Sequence, residues 1–343
     1  MKFILTAILF FLISTFDVCY AQQYVNKEKL FTDTTVLQAT LTLNMGKLSS
    51  KRDAIGYVFP ATFACTMDDG LRVNDRIEVE VRGHSRRAIC YIPPLKLIFK
   101  DNEATAFYHI KNLKLVNTCK ISSDYDQYII KEFLVYKIYN LITDKSFKAR
   151  LLSLTYQDSS GKRKPIAVHS FLIENEKDMA KRTGNKALDD PNIATELTNR
   201  RQMTTVALFE YMIGNTDWAV SVNHNTKLIR PKNDTLARAL VVPYDFDYSG
   251  LVNTNYAVPE EKLGIDNVRQ RLYRGFPRTL DELNEALAVF LQQKAAIYAI
   301  INNCNLLVPR SKVEMTRFLD EFFTAIKKPS FIKNTFITNA RTE

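Results

Sequence analysis

Two aspartates, Asp245 and Asp247, stand one residue apart, and a third, Asp217, precedes them with the asparagines Asn223 and Asn225 in between. Carboxylate and amide oxygens are the usual ligands of hard cations such as Mg2+ and Mn2+, and few lysines compete in this stretch. Each residue also has an ordinary reading, Asp217 as a turn cap and the other two aspartates as decoration of a strand end. Together they point to metal-assisted chemistry.

The neighbouring sequence predicts how they are held. TTVALFEYMI, from Thr204, is apolar on nearly every side, as a helix buried all round must be, and Gly214 is a natural stop. Asn215 to Trp218 then forms a loop, TKLI a strand, Pro231 to Asp234 a turn, and ALVVPY a second strand that ends in Asp245-Phe246-Asp247. Helix, loop aspartate, asparagine, strand and metal aspartate is also the order of the phosphotransfer half of a protein kinase. Two differences stand out. The kinase asparagine follows its aspartate by about five residues, whereas Asn223 and Asn225 follow Asp217 at a longer spacing, and Asp247 stands where D-F-G has glycine.

A second group is cationic. Arg82, Arg86 and Arg87 precede Pro93-Pro94, and Lys96 opens the next strand. It reads either as a basic edge that discourages strand pairing or as an anion clamp. The chain has 10 glycines and no G-x-G-x-x-G, so phosphates would be held by Arg and Lys side chains.

The remaining elements support these two groups. LQATLTLNM and RIEVEVRG alternate as half-buried strands, with a turn at Met67 to Gly70. Leu113 to Val116 is a further strand containing Lys114. Ser123 to Ile142 is a helix whose apolar stripe leaves Glu132 aside, either solvated or offered to a lysine. A hairpin turning at Asp158 to Gly161 leads to Glu174, and EKDMAKRTG is a short helix closed by Gly184. Charged sequence from Asn185 to Gln202 reads as loop. Thr279 and Glu282 form a capping box before the longest apolar stripe. No internal repeat is visible.

Met1 to Ala21 has one lysine, an uncharged core and a small residue at its end, the pattern of a secretory signal peptide. The expectation is cleavage after Ala21, no transmembrane anchor and a soluble extracytoplasmic protein. The net charge of +10 favours acidic or phosphorylated partners, but it is spread along the chain without a basic run interleaved with aromatics, which argues against nucleic acid. Cys65, Cys90, Cys119 and Cys304 remain after the signal. Cys90 and Cys119 flank a strand pair and are expected to form a disulfide, with the other two left open. Zinc-type cysteine spacing is absent.

The order R-G-x-S-R, P-x-x-K-L, FLIE, GNTDW, NHNTKL and VPYDFD, from Arg82 to Gly275, resembles the spore-coat protein H (CotH) family of secreted atypical protein kinases. The chain looks closest to a branch in which NTDW, PYDFDYSG and RLYRG recur. The resemblance implies an α+β, two-lobed atypical protein-kinase-like fold, with a β-rich N-terminal lobe (22–173) and a mainly helical C-terminal lobe (174–343). It implies transfer of the γ-phosphoryl of ATP to a protein hydroxyl with Mg2+ or Mn2+. Asp217 then matches the catalytic aspartate, and Asn225, Asp245 and Asp247 match the metal ligands. Lys96 or Lys114 matches the phosphate lysine, Arg82 and Arg86 assist at the nucleotide, and Glu174 ends the strand joining the lobes. ATP is scarce outside the cytoplasm, so two other readings stay open. One is a non-catalytic kinase-like binding or envelope protein, and the other is a sugar-nucleotide transferase using Asp245-Phe246-Asp247 as its D-x-D.

Overall fold

The structure is a computed structural model that describes residues 24–342 apart from 33, 55, 84, 101–104, 190 and 191. The expected signal peptide lies outside the described residues. Seven strands form one closed barrel: β1 (Leu37–Leu43), β2 (Val58–Thr66), β3 (Arg72–Val81), β4 (Leu95–Ile98), β5 (Asn112–Asn117), β6 (Ala149–Asp158) and β7 (Ile166–Ile173). Their order around the barrel is β1-β2-β3-β4-β5-β7-β6. Every pairing is antiparallel except the last, where β1 runs parallel to β6 from Leu37↔Leu152 to Leu43↔Asp158. Alternation in each strand sends Leu41, Phe63, Val79, Leu97, Leu115, Leu154 and Leu172 into a filled interior. Short helices α1 (Lys27–Thr32), α2 (Met45–Ser50) and α3 (Ser85–Ile89) decorate it.

This closure corrects the two-lobed, kinase-like α+β expectation. An open N-terminal sheet would leave β1 and β6 as edges, but they pair with each other. The barrel interior is one core, and a second core joins its outer face to the C-terminal helices. The helix α4 (Ser123–Ile142) lies between the outer face of the barrel and the C-terminal helices. One apolar cluster runs from Leu151, Phe171 and Ile173 of the barrel, through Ile130, Leu134 and Ile138 of α4, to Phe209, Phe290 and Phe318.

Beyond the barrel come α5 (Glu176–Arg182), β8 (Asn185–Ala187), α6 (Arg200–Ile213), β9 (Thr226–Pro231) and β10 (Leu240–Pro243). They are followed by α7 (Leu280–Asn302), α8 (Pro309–Ala325) and α9 (Pro329–Lys333). The strands β10-β9-β8 form a small antiparallel sheet. The 185–202 stretch, read as loop, contains β8 paired to β9, a single 3-10 turn at Thr195–Leu197 and the start of α6. Its charges are paired with later parts of the chain, as in the Arg278–Glu196 pair at 2.8 Å. The capping box is present, with Glu282 accepting from Thr279 N–H at 2.8 Å. Cys90 and Cys119 form a disulfide. Cys90 follows α3 and Cys119 follows β5, so the bridge flanks the β4–β5 pair and ties that helix to the end of β5. Among the described residues no helix is long and apolar enough to cross a membrane.

Candidate functional site

The site begins where α6 stops. Asn199 caps its N-terminus, and nearly every residue from Met203 to Ile213 is buried, as its all-round apolar sequence requires. Gly214 ends it at φ 67°. A Cβ at Gly214 would sit 2.8 Å from Phe318 Cζ, so glycine serves both the turn and the packing. The loop that follows folds on itself: Asn215 Oδ1 accepts Asp217 N–H at 3.1 Å. Ala219 and His224 exchange backbone hydrogen bonds of 3.0 and 2.9 Å. Tyr244 N–H donates to Asn225 O at 3.0 Å, which joins this loop to the end of β10.

Four non-glycine residues among those described have positive φ, and three of them, Asn223, Asn225 and Asp245, line one cavity. Left-handed backbone is uncommon outside glycine and concentrates at functional positions, where surrounding contacts hold it. Here the Tyr136 hydroxyl of α4 accepts Asp245 N–H at 2.9 Å.

The cavity measures about 400 Å³ and is lined from two parts of the chain. The barrel supplies Arg82, just past β3, and Arg86 of α3; the loops that follow α6 and β10 carry Asp217, Asn223, His224, Asn225, Asp245 and Asp247. Asp217 Oδ1 meets His224 Nε2 at 2.7 Å, and its Oδ2 accepts Asn225 Nδ2 at 2.9 Å. Arg86 spans both sides, donating to Asn117 O at 2.8 Å and to Asp247 Oδ2 at 3.2 Å. Tyr256 donates its hydroxyl to the same Asp247 oxygen at 3.0 Å.

Behind this wall α4 buries Glu132 completely. Burial, then Asp247 and Asp245, push its carboxyl well above the usual carboxylate range. Burial and the Asp245 charge likewise raise Asp247. Burial opposes the charge on Arg86, but Tyr256, Asp247, Glu132 and Asp245 outweigh it and raise its pKa. Arg86 is thus held by the acidic groups around it, and the raised Glu132 and Asp247 show that these carboxyls are crowded together away from water.

The structure brings Asp217, Asn225, Asp245, Asp247, Arg82 and Arg86 to one cavity. Lys114 lies beside it, its Nζ 4.2 Å from the centre of the Tyr244 ring. Burial, then Arg82 and Lys227, lower its pKa to about 7. Lys96 sits across from Lys114 in the β4–β5 pair, but its ammonium is taken by Glu80 and it does not line the cavity. Glu174 is also elsewhere. It pairs with Arg182 at 2.8 Å, accepts Lys148 N–H, and faces a separate cavity near α1 and α5. His224, Tyr256 and the buried role of Glu132 escaped the sequence reading. For His224 the available signal was its place between two asparagines, the residues that best tolerate left-handed turns.

A divalent cation fits this donor set in one way. Asp245 makes no ion pair or hydrogen bond through its carboxylate among the described residues, and Asn225 donates through Nδ2, leaving Oδ1 as an acceptor. No three His, Cys, Asp or Glu side chains among the described residues converge into a metal cage. Mg2+ is commonly held by one or two carboxylates together with substrate phosphates, so such a cage is not required. No family model matches the chain and no curated protein is significantly similar to it.

Proposed function

We propose that the cavity binds a nucleoside triphosphate, ATP in the first instance, with Mg2+ or Mn2+ and passes its terminal phosphoryl group to a hydroxyl of a protein acceptor. The carrying observation is the mixed lining of one cavity, arginines from the barrel side together with carboxylate and amide oxygens from the loops that follow α6 and β10. Phosphoryl transfer asks a protein for this combination of positioning and charge neutralisation. A bound cation would spread the negative charge of the phosphates, and Asp245, Asn225 Oδ1 and Asp247 are the residues that would hold it. Arg82 and Arg86 would grip phosphate oxygens from the barrel side. Asp217 belongs to the acceptor end.

The order of motifs that resembles the CotH family supports the same chemistry, on a barrel fold rather than a kinase fold. An extracytoplasmic location is part of the proposal, and the Cys90–Cys119 disulfide is compatible with it. Calorimetric titration of the purified protein with ATP, with and without Mg2+ or Mn2+, tests the reading. Cation-dependent binding is expected, and absence of binding with either metal overturns it.

A further inference from the structure

Building on that phosphoryl-transfer reading, we infer that His224, rather than Asp217, takes the proton from the attacking hydroxyl, with Asp217 as its orienting partner. The carboxylate of Asp217 is already engaged on both oxygens, Oδ1 by His224 Nε2 at 2.7 Å and Oδ2 by Asn225 Nδ2 at 2.9 Å. The same asparagine amide also reaches the Asp217 carbonyl at 2.8 Å. An ionised carboxylate only accepts hydrogen bonds, so Nε2 carries the hydrogen of this pair and the basic lone pair lies on Nδ1. No residue among those described occupies Nδ1, and the ring is half exposed on the cavity wall.

The loop fixes the backbone that carries this ring, and the bond to Asp217 orients the ring itself. His224 is backbone-paired with Ala219 and lies between Asn223 at φ 53° and Asn225 at φ 50°. Base, orienting carboxylate and a third group holding that carboxylate form the arrangement by which proteins activate weak hydroxyl nucleophiles. In the step, the hydroxyl proton passes to Nδ1 while its oxygen bonds to the terminal phosphorus. The bond from that phosphorus to the bridging oxygen breaks, and its electron pair leaves with the nucleoside diphosphate. Asp217 stays ionised and stabilises the imidazolium.

Two substitutions separate proton transfer from positioning. His224→Gln can still donate an amide hydrogen to Asp217 but has no nitrogen that accepts a proton. His224→Ala removes the ring and leaves the backbone pair with Ala219. Both should bind ATP and Mg2+ as the wild type does and lose turnover by on the order of 10²–10⁴-fold, the scale of general-base assistance. Added imidazole should restore turnover to His224→Ala and not to His224→Gln. In ¹⁵N spectra of the protein, which has 4 histidines, His224 should appear as the Nε2–H tautomer. His224→Gln turning over at the wild-type rate would overturn this inference while the phosphoryl-transfer reading stands. Wild-type protein that binds no nucleotide overturns that reading itself, by a measurement that involves neither variant.

Discussion

Asn225 holds Asp217 twice, its Nδ2 lying 2.8 Å from the aspartate's carbonyl oxygen and 2.9 Å from Oδ2. The pair explains how a longer spacing between aspartate and asparagine still yields one site. The extra residues form the small Ala219–His224 bridge, and left-handed Asn223 and Asn225 turn the chain back. Side chains eight positions apart are thereby returned to hydrogen-bonding distance.

Residues at the two ends of the cavity should fail differently. Asp217→Asn keeps the shape but removes the charge that orients the proton acceptor. ATP–metal binding should stay near normal, and turnover should fall by on the order of 10²–10⁴-fold. Asp245→Asn removes an uncommitted carboxylate, so metal-dependent affinity and turnover should fall together, and Asp247→Asn should be milder. Calorimetry alongside single-turnover rates separates these cases.

The two arginines should also part company. Arg82 faces the cavity with no side-chain bond among the described residues, whereas Arg86 ties Asn117 to Asp247. Arg82→Ala should weaken nucleotide binding by roughly 10–100-fold, the value of a charge-assisted hydrogen bond, and leave stability unchanged. Arg86→Ala should weaken binding and lower stability by about 3 kcal/mol, because it strands Asp247 in the interior. Urea unfolding of both variants is the check.

Stability should decline as pH rises from mildly acidic to neutral. Glu210, buried at the end of α6, is pushed up to about 8 from an ordinary 4.5 by burial; Asn215 and Arg274 oppose the shift, and Asp217 adds to it. An acid whose folded pKa is raised contributes its full stability below the unfolded value and loses it as pH climbs through the folded one. Glu210→Gln should therefore flatten the decline between about pH 5 and pH 8, an effect on the order of a few kcal/mol. A steeper decline in the variant would contradict this.

The Cys90–Cys119 bridge spans 29 residues of sequence. Replacing both cysteines by serine should lower stability by roughly 3–4 kcal/mol through the freedom returned to the unfolded chain. Denaturant midpoints of the double variant, compared with the oxidised wild type, measure it.

Much of the cavity was legible because its residues flank strong local signals. An all-apolar run ending in glycine and two short β-rich runs place Asp217, Asn225 and Asp245 at element ends. Barrel closure was not legible, since alternation in LQATLTL is the same whether the strand ends an open sheet or meets β6. Glu132 was misjudged for a related reason. Lying off an apolar stripe implies solvent only for a helix with one wet face, and α4 is covered on both sides. Glu174 and Lys96 follow plausible motifs, but Arg182 of the next helix and Glu80, opposite Lys96 on β3, claim their charges, and the strand register that sets the second pair is not written in either segment alone.

The parallel seam between β1 and β6 governs how the chain can fold. Leu37 meets Leu152 only after four other barrel strands and α4 have intervened, so the seam joins segments over 100 residues apart. Contacts of such long range are slow to form because loop-closure entropy must be overcome before they contribute. Until β6 arrives, β1 keeps one row of backbone groups unpaired, an edge open to other strands. The chain should therefore collapse early and complete its barrel late, and refolding experiments at rising protein concentration should find that interval to be the one in which aggregation competes.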